Sequence, residues 1–479
     1  MRGDDEVRQP SRARCGADFS VGDTTPLARD GGVVLAAQPS RLAGCGYDGG
    51  IADAPERRIR IVSVSPSRNP ELVDGALAGS QAGRPGAWAV ALGGLVSLAV
   101  AMGIGRFAFT PLLPMMLHDG SVTLHQGGWI ATWNYIGYFA GALACLLIRP
   151  DAARMVRWGL AATVALTLAM ALPLGMLSWS LWRAAAGVAS AFVLVYTAAW
   201  CMQRLAEAGK PALGGLIFCG PGIGIVATGV SAFGMVGMNW SAAWGWIAFG
   251  VLALLLVAAV WRIFRPDAAP RTAPASASAA AAPARMAAMS GEAWALTVAY
   301  GLAGFGYIIT ATFLPVIARD AMPGSLWADL FWPLFGVAVA LGALTAVRIG
   351  VRHDNRVLLA LAYGMQATGV AIAAVWPTLA GFALSSLLAG LPFTALVLFA
   401  MHEARRLAGD QAPRLIGLMT AAYGLGQIVG PPFATALVAR TGGFAASLAG
   451  AALALLVGAL IYLWLRRVAP LPSAAAPQA

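Results

Sequence analysis

The chain is 479 residues long, 59% hydrophobic and only 11% charged, with a mean hydropathy of +0.73. A soluble globular chain runs near a quarter charged and under half apolar, so this composition excludes a set of water-soluble domains and points to a polytopic membrane protein. The formal net charge of +11 acquires meaning only from its positions, because a nucleic-acid binder shows its Lys and Arg on a polar face and polar surface is scarce here.

Residues 1–85 are rich in Gly, Asp, Arg, Ser and Pro and keep no helical or strand period, so they are expected to be a disordered tail. The apolar run of a signal peptide is missing. The tail holds eleven Arg and eleven Asp plus Glu, which leaves the whole of the +11 in residues 86–479. Lys210 is the only lysine, the mark of an Arg-favouring, GC-rich coding sequence in which upstream extensions of reading frames are common. The natural start is therefore expected near the first apolar stretch.

From Ala87 onward, twelve stretches are each long enough to cross roughly 30 Å of hydrocarbon with about 20 residues. In chain order they are Ala87 to Leu117, Gly127 to Ile148, Trp158 to Leu177, Leu181 to Met202, Leu213 to Val236 and Ala242 to Phe264. A second set follows: Ala293 to Ala318, Leu326 to Val347, Val357 to Trp376, Leu379 to Met401, Leu415 to Val438 and Phe444 to Leu465. Only helices satisfy their own backbone at such lengths in lipid, so the fold is expected to be all-α with twelve transmembrane helices. Seventeen Lys and Arg fall on one side of a twelve-helix path and only Arg319 and Arg440 on the other. This bias places both termini in the cytoplasm, so the basic charge reports topology and no nucleic-acid partner is expected.

Residues 265–291 hold an Ala/Pro/Ser run and read as a cytoplasmic linker between six-helix bundles over 86–264 and 292–468; residues 469–479 read as a disordered tail. The halves repeat. Gly103, Gly105, Leu113 and Pro114 match Gly304, Gly306, Leu314 and Pro315 at a constant offset of 201. Trp133 and Gly137 pair with Trp332 and Gly336, and Gly220-Pro221 of helix five with Gly430-Pro431 of helix eleven. A parallel duplication explains these matches.

Helices six and twelve are apolar nearly all round and helix three offers only threonines, as lipid-facing supports should, whereas helices one, two, four, seven, ten and eleven carry the polar residues. With the repeat and the linker, this pattern resembles the major facilitator superfamily of secondary transporters over 86 to about 468. Arg183 followed by Gly187 looks like that family's helix-four Arg-x-x-x-Gly motif, and Gly220-Pro221-Gly222 like its helix-five Gly-Pro motif. The loop RPDAARMVR keeps only Asp151 and scattered arginines of the pattern expected after helix two. The runs GIGRFAFTPLLPMM and GWIATWNYIGYFAGAL are closer to the YbfB/YjiJ branch, bacterial inner-membrane transporters. The resemblance implies alternating access.

Arg106 is the sharpest feature. An arginine inside an apolar helix costs about 2.5–3.5 kcal/mol on insertion scales and usually faces a protein interior or an aqueous cavity. Two roles compete: a cavity-facing substrate or gating group, or a bundle-holding arginine that snorkels outward or pairs with helix-end carbonyls. Tyr307 holds the equivalent place in the second half, and a guanidinium opposite a phenol suits an organic anion or an aromatic acid. Asn134 and Tyr138 on helix two, and Tyr423 and Gln427 with Thr420 on helix eleven, read equally as cavity walls or interhelical glue. Arg183 and Gly187 begin a stripe on helix four, with Arg183 about one turn from the outer end and able to snorkel. The Gly-Pro pairs are expected to weaken helices five and eleven, as moving hinges or static kinks.

No Asp or Glu stands in the middle of a span. Asp329, near the outer end of helix eight, is the one proton-coupling candidate; anion exchange and uniport are equally open. His402, beside Glu403, reads as a solvated loop residue. The five cysteines lie far apart without a C-x-x-C pair, His118 and His125 are seven apart across a turn, and there is no G-x-x-x-x-G-K-[ST] loop. No metal, cofactor or catalytic site is expected. The reading is a monomeric secondary transporter of a small organic solute with a co- or counter-transported ion, in the bacterial inner membrane; a channel or structural scaffold is the alternative. Deletion of residues 1–80 is expected to leave membrane insertion intact, checked by fractionation of a tagged chain; loss of insertion would refute the displaced start.

Overall fold

The structure, a computed structural model, describes residues 85–148, 150–265, 290–349 and 354–468. The expected tails, most of the linker, and Arg149, Arg271, Arg285 and Arg352 of the orienting set lie outside the described residues. Among the described residues there is no strand. The first six helices are α1 (Ala87–His118), α2 (Leu124–Leu147), α3 (Ala152–Ala169), α4 (Met176–Glu207), α5 (Gly220–Gly237) and α6 (Ala242–Val260). The second six are α7 (Gly291–Ala321), α8 (Phe331–Ile349), α9 (Asn355–Val375), α10 (Leu379–Gly390, continued after Leu391 by Pro392–Ala408), α11 (Ala412–Thr441) and α12 (Ala445–Val468).

By length and composition, ten runs among the described residues are fit to cross a membrane. One of them, Leu379–Thr441, is 63 residues long and contains both α10 and α11, and α3 is not among the ten. α3 begins six residues earlier than Trp158 because Asp151 caps it, its carboxylate accepting from the Arg154 N–H at 2.8 Å, which brings Arg154 and Arg157 into the helix. It ends at Ala169, ahead of Pro173, rather than at Leu177. α10 breaks at Leu391 because Pro392 opens a new helix, and the chain stays helical to Ala408. His402 is therefore part of a helix, not a loop residue, and Glu403 is buried.

α1 to α6 pack mainly on one another, as do α7 to α12, and the two groups meet where α2 lies on α11, α5 on α8 and α1 on α7. Small residues permit the close crossings that lipid cannot drive by hydrophobicity. A Cβ on Gly137 of α2 would stand 1.9 Å from the Ala184 carbonyl oxygen of α4, and one on Gly187 would stand 2.1 Å from that of Asn134. The same contact recurs between Gly342 of α8 and the Leu391 carbonyl of α10, also at 1.9 Å. At the repeat offset of 201 Gly342 answers Gly141, whose Cβ would stand 2.9 Å from Val188 of α4, while Gly336 packs against Gly222 and Val226 of α5.

The Gly-Pro pairs also differ from expectation. Gly103 of α1 meets Gly224 of α5 as Gly304 of α7 meets Tyr423 of α11. Pro431 lies eight residues beyond Tyr423 whereas Pro221 lies three before Gly224, so the two pairs are not equivalents. Pro221 sits in the first turn of α5, where its missing N–H costs nothing, and the helix is interrupted just before it at Phe218 and Cys219. Pro431 and Pro432 lie inside α11, which continues to Thr441.

At the basic ends of α7, α9, α10 and α12, Arg356 is buried and donates to Glu403 at 2.7 Å, to the Leu465 carbonyl at 2.8 Å and to Glu292 at 3.3 Å. Arg406 donates twice more to Glu403, at 2.9 and 2.6 Å. In the sequence these arginines stand out only as orienting charges.

Overpacking at the α2–α4 crossing is expected to cost about 1–3 kcal/mol per substitution. Gly137→Ala and Gly187→Ala should each lower the midpoint of thermal unfolding in detergent, while Gly234→Ala, with nothing within 4 Å of its added methyl, should leave it unchanged or raise it.

Candidate functional site

The site begins with an irregularity in α1. Residues Ala99–Ile104 form a π-helical turn, residues 105–108 a turn, and the α-helix resumes at Phe109–His118. Gly105 donates to the Val100 carbonyl at 2.8 Å and Phe107 to that of Met102 at 3.1 Å, both five residues back. Pro111 has no N–H, and Thr110 donates to the Phe107 carbonyl at 3.1 Å. The Arg106 carbonyl therefore loses its helical donor, at a depth where lipid offers none.

Arg183 makes good that loss. Its Nη1 donates to the Gly105 carbonyl at 2.8 Å and its Nη2 to the Arg106 carbonyl at 2.7 Å. The side chain is buried, 3% exposed, with its Cζ 5.3 Å from the centroid of the Phe109 ring. The snorkelling expected for Arg183 is thus overturned: the side chain turns inward because two freed carbonyls lie within reach. Asn134 donates to the Arg183 carbonyl at 2.9 Å, and Gly187 lets α4 come against the backbone of Asn134 and Tyr138. Asn134 lies in the α2–α4 seam, and its Oδ1 has no hydrogen-bond partner.

Arg106 itself is 3% exposed and points into the middle of the bundle. Its Nη2 donates to Gln427 Oε1 at 2.8 Å, and Gln427 Nε2 donates to the Tyr307 hydroxyl. The two pseudo-equivalent positions are therefore joined through an amide from α11. The guanidinium is walled by aromatic faces, with Cζ 4.2 Å from the Tyr138 centroid, 5.1 Å from Tyr135 and 5.5 Å from Phe107. Tyr307 stacks on Tyr423 at 5.7 Å, and Tyr423 on Tyr300 at 4.8 Å, while Phe393 meets Tyr307 edge-on at 5.1 Å. Arg106 Nε is buried without a hydrogen-bond partner.

Two further bonds cross between the groups beside this centre. The Thr110 hydroxyl donates to the Ala311 carbonyl at 2.8 Å, and Tyr135 and Thr312 share a hydrogen bond at 2.8 Å. Thr110 and Ala311 are separated by the repeat offset of 201, so the two copies touch at equivalent positions. Tyr135 and Thr312 do not stand out in the sequence because neither interrupts an apolar run as an arginine does; the adjacency of Tyr135 to Asn134 is a weak signal.

The remaining candidates lie apart. Thr420 is exposed while Tyr423 and Gln427 turn inward. Asp151 caps α3, and Gly430 packs on Ile308. Asp329 is held by Arg319 through two bonds, at 2.8 and 2.9 Å, beyond the end of α7. No group of three or more His, Cys, Asp or Glu that could hold a metal occurs among the described residues.

A protein family described as "Uncharacterised MFS-type transporter YbfB" matches residues 98–463. No curated protein matches the chain. The matched region takes in every residue of the Arg106 centre, from the π turn of α1 to Gln427.

Removing the Arg183 guanidinium would leave two buried carbonyls unpaired, at a cost of about 1–3 kcal/mol each. Arg183→Gln is expected to lower the unfolding midpoint in detergent strongly, with Arg183→Lys intermediate because its single nitrogen lacks the two-pronged reach of the guanidinium; an unchanged midpoint in Arg183→Gln would show that the carbonyls need no such donor.

Proposed function

The chain belongs to this family of MFS-type transporters, and we propose that it carries a small organic anion, best an aromatic carboxylic acid, across the bacterial inner membrane by alternating access. One observation supports this most: Arg106 is buried with an unused N–H, a neutral amide and aromatic rings around it, and no carboxylate partner. Every Asp and Glu among the described residues stands at or near a helix end, so a charge entering with the solute is the natural counter-ion. A substrate carboxylate can replace Gln427 and take two parallel N–H bonds, while the tyrosines and Phe393 receive a ring.

Gln427 binds Arg106 across the two groups, so a substrate that displaces it loosens one group from the other. Close contacts between the groups at Gly128 with Thr435 and at Gly229 with Pro333, toward the less basic end, support a form closed on the outer side. In this mechanism all twelve helices cross the membrane as six-plus-six bundles, both termini are cytoplasmic, and the carrier works as a monomer. Arg319 occupies both oxygens of Asp329. That favours counter-exchange of anions over proton coupling through this carboxylate.

The test is counterflow in proteoliposomes loaded with unlabelled benzoate. Labelled benzoate is expected to accumulate saturably, and Arg106→Gln to slow it by on the order of a hundredfold, the loss of a buried charged partner. Equal counterflow of a neutral sugar, or full activity in Arg106→Gln over a panel of carboxylates, would refute the anion reading.

A further inference from the structure

A second site lies on the outside of the bundle, between α3 and α6. A groove of about 450 Å³ is lined by Ala161 and Val164 of α3, by Leu254, Val257 and Ala258 of α6, and by Trp261 and Arg262 just beyond it. Arg157, Ala161 and Val164 follow one another at steps of four and three, so one face of α3 runs from a cation into an apolar wall. Leu254 and Ala258 of α6, followed by Trp261 and Arg262 just past its end, do the same in the opposite chain direction. One turn deeper the walls close, because the Leu168 side chain lies over Gly250, whose Cβ would stand 2.3 Å from it.

The mouth of the groove is cationic. The Arg157 guanidinium lies over the Trp261 ring, Cζ 4.2 Å from the centroid, and its Nε is buried without a hydrogen-bond partner. Arg262 is exposed at the same end, with Arg154 and Arg265 exposed near by. Asp151, the acid beside this end of α3, is engaged in capping the helix. The apolar length faces outward, with Leu254 half exposed and Trp158 72% exposed next to Arg157. A Trp at the polar boundary with cations above an aliphatic slot matches the layering of a phospholipid, head group outside and acyl chain inside.

We propose that this groove binds one anionic phospholipid, its acyl chain along Ala161, Val164, Leu254, Val257 and Ala258 and its phosphate at Arg157 and Arg262. The assignment rests on the helices lying in a bilayer with this end at the lipid head groups, and not on the identity of the carried solute. Arg157 is held over Trp261 at one side of the mouth and Arg262 lines the other, so the two cations flank the phosphate. A zwitterionic lipid presents a compensating ammonium and binds the same place less well.

The test is native mass spectrometry and thermal unfolding of the full chain in detergent, titrated with phosphatidylglycerol, phosphatidylcholine or inorganic phosphate. The wild-type chain is expected to retain one phosphatidylglycerol and to gain a higher unfolding midpoint from it. Arg157→Gln with Arg262→Gln should weaken that retention by about tenfold or more, as basic side chains each contribute to anionic-lipid affinity. Ala258→Trp, which fills the groove and leaves the cations, should abolish it, while Arg440→Gln at the opposite end changes nothing. Retention of phosphatidylglycerol unchanged in both groove variants, or equal retention of phosphatidylcholine, would overturn the proposal. So would equal stabilisation by inorganic phosphate alone, which would mark an anion site without an acyl chain.

Discussion

Lipid donates no hydrogen bonds, and a helix interrupted inside it must find donors in the protein. α1 is interrupted between Ala99 and Ala108, and the arrangement around it follows from that fact. Arg183 supplies the donors, its own carbonyl is held by Asn134, and α4 comes close enough to α2 for both contacts only because Gly137 and Gly187 lack side chains. The residues that fit a transporter motif by spacing are thus one mechanical unit. Its product is the placement of Arg106, which lies in the turn before the helix resumes at Phe109 and points inward.

The two buried cations of the amino-terminal six helices differ in purpose from that of the carboxy-terminal six. Arg356 is neutralised by Glu403 and assisted by Glu292, tying four helix ends together. Arg183 donates to two carbonyls and lies by the Phe109 ring, its Nε without a partner. Arg106 is satisfied by one amide and by ring faces, which attract a cation through their quadrupoles by about 0.5–2 kcal/mol each at best. A fixed carboxylate would bind the guanidinium permanently, whereas a neutral amide can be exchanged for a passing anion. This imbalance of charge at the centre is the physical basis of the anion binding proposed above.

Duplication sets the frame within which the halves diverge. The contacts of Gly103 with Gly224 and of Gly304 with Tyr423 keep α1 on α5 and α7 on α11 in the same relation, and Thr110 reaches Ala311 at the repeat offset. At the centre, Arg106 and Tyr307 stand at equivalent positions yet make unlike contributions, and Gln427 from α11 bridges them. The prolines of α5 and α11 fall at different depths, so a hinge in one half has no mirror image in the other.

Apolar length, the scarcity of charge and the repeat around Gly103 and Gly304 by themselves determined an all-helical polytopic chain of the transporter family, and marked Arg106 and Tyr307 as a pair. Such properties are carried by the order of residues along one helix at a time. Which way Arg183 turns, that Tyr135 and Thr312 meet, that Gly336 packs against α5, and that Glu403 is a buried counter-ion were decided only in the tertiary structure. Each depends on how far a helix is rotated and slid against its neighbour. A slide of one turn leaves the apolar pattern of both helices intact and changes every polar contact between them.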